Sequence, residues 1–125
     1  MTRYIIGIDV GTGGTRAVLV DEEGVVLASA THEHLPFASP QNGWAEQDPH
    51  DWWNACKQAI RKLLEESAVQ KTKIAAVGLT GQMHGAVLLD ENDEVLRPAL
   101  IWCDQRTQEE CDKLTRLSES SGLSS

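Results

Sequence analysis

The chain has 125 residues, 41% of them hydrophobic, enough for one globular domain with an ordinary core and too few for several. Its formal net charge is −8, from 11 Lys and Arg against 19 Asp and Glu, which argues against nucleic acid or an anionic membrane as partner. A phosphate ligand would then be held by local backbone amides and a metal ion. Cys56, Cys103 and Cys111 form no close-spaced pair, so neither a disulfide framework nor a zinc ribbon is indicated. With no apolar signal region behind Met1-Thr2-Arg3 and no run long enough to span a bilayer, a cytoplasmic protein is expected.

Tyr4 to Ile8 and Arg16 to Val20 read as two strands joined by the hairpin tip Gly11-Thr12-Gly13-Gly14-Thr15. Glycines permit positive φ and close approach to the backbone, so amides can converge there on phosphate oxygens, with the Thr12 and Thr15 hydroxyls as further donors. Asp9, just before the tip, is placed to hold a magnesium ion or its water shell. Neither the Walker nor the Rossmann pattern is present, and an ordinary tight turn with a surface aspartate explains the local residues equally well. Val25 to Thr31 reads as a third strand, giving an antiparallel meander.

From Leu35 to Gln47 the chain is loop-like. Asp48 as N-cap and Pro49 at the first helical position then start a helix running to about Ser67. Its apolar positions Trp52, Cys56, Ala59, Ile60, Leu63 and Leu64 predict one face laid on the sheet. Ile74 to Thr80, without polar alternation before its last residue, reads as a strand at the sheet centre, covered on both faces and parallel to the first. Ala86 to Leu89 and Val95-Leu96 predict a second hairpin. Thr107 to Glu110 matches a capping box before a helix whose Cys111, Leu114 and Leu117 share a face. The expected domain is 1–117, with 118–125 a serine-rich tail or truncation point.

Gly7-Ile8-Asp9-Val10-Gly11-Thr12-Gly13-Gly14-Thr15-Arg16 resembles the first phosphate hairpin of the actin, heat-shock chaperone and sugar-kinase superfamily. Gly43 to Pro49, Gly81-Gln82-Met83-His84-Gly85 and Trp102-Cys103-Asp104-Gln105-Arg106 follow in the order of the FGGY carbohydrate kinases. The Gln-Met-His segment is most similar to xylulokinases. The resemblance implies an α/β, ribonuclease H-like (actin-like ATPase) domain, here incomplete, with a mixed sheet of the five-stranded type and helices packed on it. It also implies transfer of the γ-phosphoryl group of magnesium ATP to D-xylulose by an enzyme that is a homodimer at full length. Asp9 would serve magnesium, with Gly11, Thr12, Gly13, Gly14 and Arg16 near the phosphates. Met83 and His84 would contact the ketose, followed by Gln82, Asp104 and Arg106.

The plainer readings stand beside these. An Asp/Arg pair commonly caps a helix, and for Asp104 and Arg106 a structural role is slightly favoured. Trp52 and Trp53 are expected in the core, while Trp44 stays open. His32 and His34 lie two apart, a spacing that could ligate metal, but polar surface is the better expectation. The alternatives for function are another acceptor (gluconate, glycerol or ribulose), a non-kinase nucleotide-binding relative of actin, or a ribonuclease H-like nuclease. The acidic charge and the neutral second loop disfavour the nuclease. In the resembling kinases the general base is an aspartate in a glycine-rich segment beyond the first domain, so residues 1–125 alone are expected to be inactive. An open sheet edge or bare apolar face is expected to make them self-associate.

Overall fold

Alternating burial along the first hairpin sets up the whole domain, as a computed structural model describing residues 2–122 makes plain. Strand β1 (Tyr4–Val10) turns into β2 (Gly14–Val20), and β3 (Val26–Glu33) completes the antiparallel meander. Ile6 and Ile8 of β1, Thr15, Ala17 and Leu19 of β2 and Ala30 of β3 are buried on one face. Side chains alternate along a strand, so Gly7, Asp9, Arg16 and Val18 belong to the other.

Helix α1 (Pro49–Ser67) covers the first face. Asp48 caps it by accepting a hydrogen bond from the His50 N–H at 2.9 Å, with Pro49 beginning the first turn. Its Cys56, Ala59 and Leu63 join Ile6, Ile8, Ala17, Leu19 and Ala30 in one core, with Ile60 and Leu64 packed at its margin. Leu19 and Leu63 are fully buried, each contributing roughly 1.5–3 kcal/mol of transfer free energy. Trp52 is half-buried, but Trp53 is 63% exposed, with the Lys57 ammonium 5.9 Å from its ring centre. The core role expected of Trp53 is therefore not met: α1 places it beyond the meander it covers.

After α1 a short 3₁₀ turn, Lys71–Lys73, leads into β5 (Ile74–Gly81), parallel to β1 as expected. The sheet order is β3-β2-β1-β5, so among the described residues β5 is an edge strand and not the centre. Ala75 to Gly81 are all exposed, Leu79 by 74%. An apolar run records which faces are hydrophobic but not which neighbours flank them, and α1 packs mainly on β2 and β3.

Beyond β5 the expected second hairpin is reduced to a bridge between Leu89 and Val95, closed by a turn in which the Asp90 side chain accepts from the Asn92 and Glu94 N–H groups. A separate two-stranded ribbon pairs β4 (Glu46–Gln47), within the stretch read as loop, with β6 (Ala99–Leu100). Helix α2 (Gln108–Ser120) has no buried residue and runs past Leu117 through Ser118 to Ser120. Thr107 stands at its N-cap without a side-chain hydrogen bond, so the capping box is not formed: at φ −96° and ψ 17° it lacks the extended backbone that aims a cap at the first turn. Among the described residues no helix is long and apolar enough to cross a membrane.

Candidate active-site cleft

The loop after β1 is closed by a hydrogen bond from the Gly11 N–H to the Gly14 carbonyl at 3.0 Å. Of the two freedoms that glycine offers, positive φ is not used by any glycine of this loop. What they supply is room. A Cβ on Gly14 would lie 3.0 Å from the His32 carbonyl oxygen, so β3 requires glycine there, whereas one on Gly13 would meet nothing within 4 Å. Gly13 faces open space, the position from which a ligand can reach the backbone.

Asp9 lies on the sheet face away from α1, paired in register with Arg16 on one side and Thr80 on the other. These residues and Gly7, Val18 and Gly78 border a cavity of about 330 Å³. Among the described residues no three His, Cys, Asp or Glu side chains gather as a metal cage. One exposed carboxylate beside open loop amides suits magnesium, which keeps its waters and phosphate oxygens and takes few protein ligands.

The loop after β5 continues the parallel pairing, the Gln82 N–H donating to the Val10 carbonyl at 2.9 Å. Gly81 and Gly85 here permit strand contacts: a Cβ on Gly81 would be 3.0 Å from the Val10 carbonyl oxygen, and one on Gly85 3.4 Å from that of Leu100. His84 is exposed, held at φ 60°, a left-handed conformation uncommon for histidine. With Trp52, Trp53, Cys56, Leu79 and Val87 it lines a largely apolar cleft of about 480 Å³, while Met83 is 70% exposed and outside that lining. Burial pushes the Cys56 thiol pKa up. The two loops adjoin, yet Asp9 and His84 line different cavities, because Asp9 and Val10 alternate across the sheet.

Thr12 is the junction between the loops. Its hydroxyl donates to Gln82 Oε1 at 3.1 Å and accepts from Trp102 Nε1 at 2.9 Å. Its carbonyl accepts from Gln47 Nε2 at 2.7 Å and, more weakly, from His34 Nδ1 at 3.3 Å. Neither threonine hydroxyl is thus a free phosphate donor: Thr15 is fully buried and bonded to His34 Nε2 at 2.8 Å. His34, expected as polar surface, is buried beneath the Gly11 to Gly14 loop, because β3 runs on to Glu33 and carries it there. Both histidines lie on the inward face, His32 half-buried and His34 buried; their spacing put them on one side of the strand but could not say which face of the sheet that was. Gln47 was equally hidden, although the Gly43 to Pro49 motif contained it.

Asp104 and Arg106 are engaged in tying the β4–β6 ribbon to the chain after it. The Asp104 carboxylate accepts from the Ala45 N–H at 2.8 Å and from Arg106 Nη2 at 2.6 Å. Arg106 also reaches Glu46 at 2.8 Å and lies 3.7 Å over the Trp44 ring, while Arg97 adds a 2.6 Å bond to Glu46. The Arg106 guanidinium, aided by the Ala45 amide, draws the Asp104 pKa down to about 2 against burial. Asp104 in turn raises that of Arg106. No buried side-chain nitrogen or oxygen among the described residues lacks a partner.

Comparison with known proteins places this geometry. Residues 4–124 match the N-terminal domain of the FGGY family of carbohydrate kinases. The xylulose kinase of Escherichia coli K12 is 46% identical over 109 residues, 87% of this chain but 22% of that protein. The glycerol kinase of Thermococcus onnurineus is 34% identical over 98% of this chain and 26% of its own length. The crystal structure of the xylulose kinase from Rhodospirillum rubrum superposes with a TM-score of 0.84 at 32% identity, over 96% of this chain and 24% of that one. The chain therefore spans about a quarter or less of these relatives, and its ribonuclease H-like, actin-like ATPase fold is the one expected. On a family match over nearly its whole length, this chain belongs to the FGGY carbohydrate kinases, within their N-terminal domain.

Proposed function

We propose that this chain is the substrate-side part of an ATP-dependent kinase that phosphorylates D-xylulose to D-xylulose 5-phosphate. The observation that carries the reading is the direct bond between a glycine phosphate loop and the Gln82-Met83-His84 loop through Thr12 and Gln82. Asp9 holds magnesium or its waters, the open backbone at Gly13 approaches the donor phosphates, and Arg16, beside Asp9, offsets their charge. Gly11 and Gly14 shape that loop. Magnesium, when bound, neutralises charge on the transferred phosphoryl group. His84 donates to or accepts from a sugar hydroxyl, and Met83 provides an apolar edge. Most of the catalysis asked of these residues is alignment.

The full-length protein with magnesium ATP and a panel of D-xylulose, D-ribulose, D-gluconate and glycerol tests this. D-Xylulose is expected to give the highest kcat/KM. A preference for glycerol or gluconate would overturn the acceptor, and no turnover on any would overturn the kinase. Asp9→Asn is expected to lower kcat about 100-fold or more. Residues 1–125 alone are expected to form no sugar phosphate.

A further inference from the structure

Gln47 lines neither cavity beside β1 and β5, yet it is buried, with both its amide nitrogen and its amide oxygen hydrogen-bonded. The directions of its hydrogen bonds admit one solution. An indole N–H only donates and a backbone carbonyl only accepts. Trp52 Nε1, 2.9 Å away, therefore fixes the Gln47 oxygen, and the Thr12 carbonyl at 2.7 Å fixes its nitrogen. Gln82 must then present Nε2 to that oxygen, at 2.9 Å, which turns its own oxygen toward the Thr12 hydroxyl at 3.1 Å. That hydroxyl accepts from Trp102 Nε1, leaving its single hydrogen for Gln82.

We propose that Gln47 is a positioning residue: by setting the orientation of Gln82, and through it Thr12, it holds the phosphate loop and the Gly81 to Gly85 loop in one fixed relation. This rests on the kinase reading, in which donor and acceptor must be aligned. It also assigns Gln82 to the link between the loops, since its Nε2 donates to Gln47 and, at 3.5 Å, to the Gly11 carbonyl, while its Oε1 accepts from Thr12. Both loops can keep their own ligands without Gln47; what they lose is their mutual placement. A misplacement of about 1 Å can cost roughly 100-fold in rate.

The test is a double-mutant cycle in the full-length enzyme with D-xylulose and magnesium ATP. Gln47→Met and Gln82→Met keep size and remove the hydrogen bonds. Each is expected to lower kcat about 10- to 100-fold with KM for the sugar little changed, and the double variant to be no slower than the worse single. Gln47→Glu, which still accepts from Trp52 and Gln82 but has no hydrogen for the Thr12 carbonyl, is expected to be impaired as well. A merely structural role would lower Tm and the folded fraction but leave kcat per folded molecule unchanged, and would overturn the proposal. So would single effects on kcat that multiply in the double variant. Should Gln47→Met fail to fold, Trp52→Phe paired with Gln82→Met is read in the same way. No turnover by the unmodified protein on any acceptor would remove the kinase reading and this inference with it; turnover with multiplying effects removes the inference alone.

Discussion

Gly13 and Gly14 are neighbours with different constraints. Gly14 is pressed against the β3 backbone, so Gly14→Ala is expected to cost about 1–3 kcal/mol of stability. Gly13 has open space where a side chain would go and no positive φ, so Gly13→Ala is expected to leave Tm nearly unchanged. In the full-length protein it should still lower kcat/KM for ATP about tenfold, by standing between the backbone and the phosphates. Thermal melts and ATP kinetics on both variants check the pair; a Gly13→Ala enzyme with normal ATP kinetics would remove the phosphate role. Asp104 carries a pH signature. Its carboxyl is held at about 2 when folded against an ordinary 3.8, so its charged form contributes stability above about pH 4 that is lost as pH falls toward 2. Asp104→Asn is accordingly expected to lower Tm at pH 7, with the difference from the unmodified protein shrinking between about pH 4 and pH 2. A difference constant across that window would mean that the ion pair with Arg106 contributes nothing.

At the scale of elements, α1 was legible because its signals are local: Asp48 and Pro49 at the start and apolar residues at helical spacing. Its end holds a correctable strain. Ala68 caps it at φ 55°, where a Cβ is unfavourable, so Ala68→Gly is expected to raise stability by about 0.5–1 kcal/mol, measured by urea unfolding. Unchanged or lower stability would show that the left-handed cap carries no penalty here. The β1–β2 hairpin and the parallel direction of β5 were equally readable, from composition and from the length of the crossover. Three elements were not. The β4–β6 ribbon pairs residues more than fifty positions apart and depends on Arg97 and Arg106 converging on Glu46. The capping box at Thr107 matched in letters but not in backbone angles, and the second hairpin had strand-forming residues without a ladder.

For the molecule as a whole, the uncovered side of β5 is the dominant surface feature. Val77 and Leu79 share the face of Ile6 and Ile8, but α1 packs over β2 and β3, leaving them 59% and 74% exposed. Such an edge pairs readily with another chain. Residues 1–125 in isolation are expected to self-associate in sedimentation velocity as concentration rises, and Leu79→Lys is expected to shift them toward monomer. A clean monomer at high concentration would show that this face is benign. By itself the sequence determined α1 and the first hairpin, the family through four ordered motifs, and that the Gly11 to Gly14 loop adjoins the Gly81 to Gly85 loop. Only the tertiary structure decided that β5 is an edge among the described residues, that His34 is buried beneath the Gly11 to Gly14 loop, and that Thr12 joins Gln47, Gln82 and Trp102. Those facts depend on which distant residues meet, and a buried polar group has a few partners in space but many candidates along a chain.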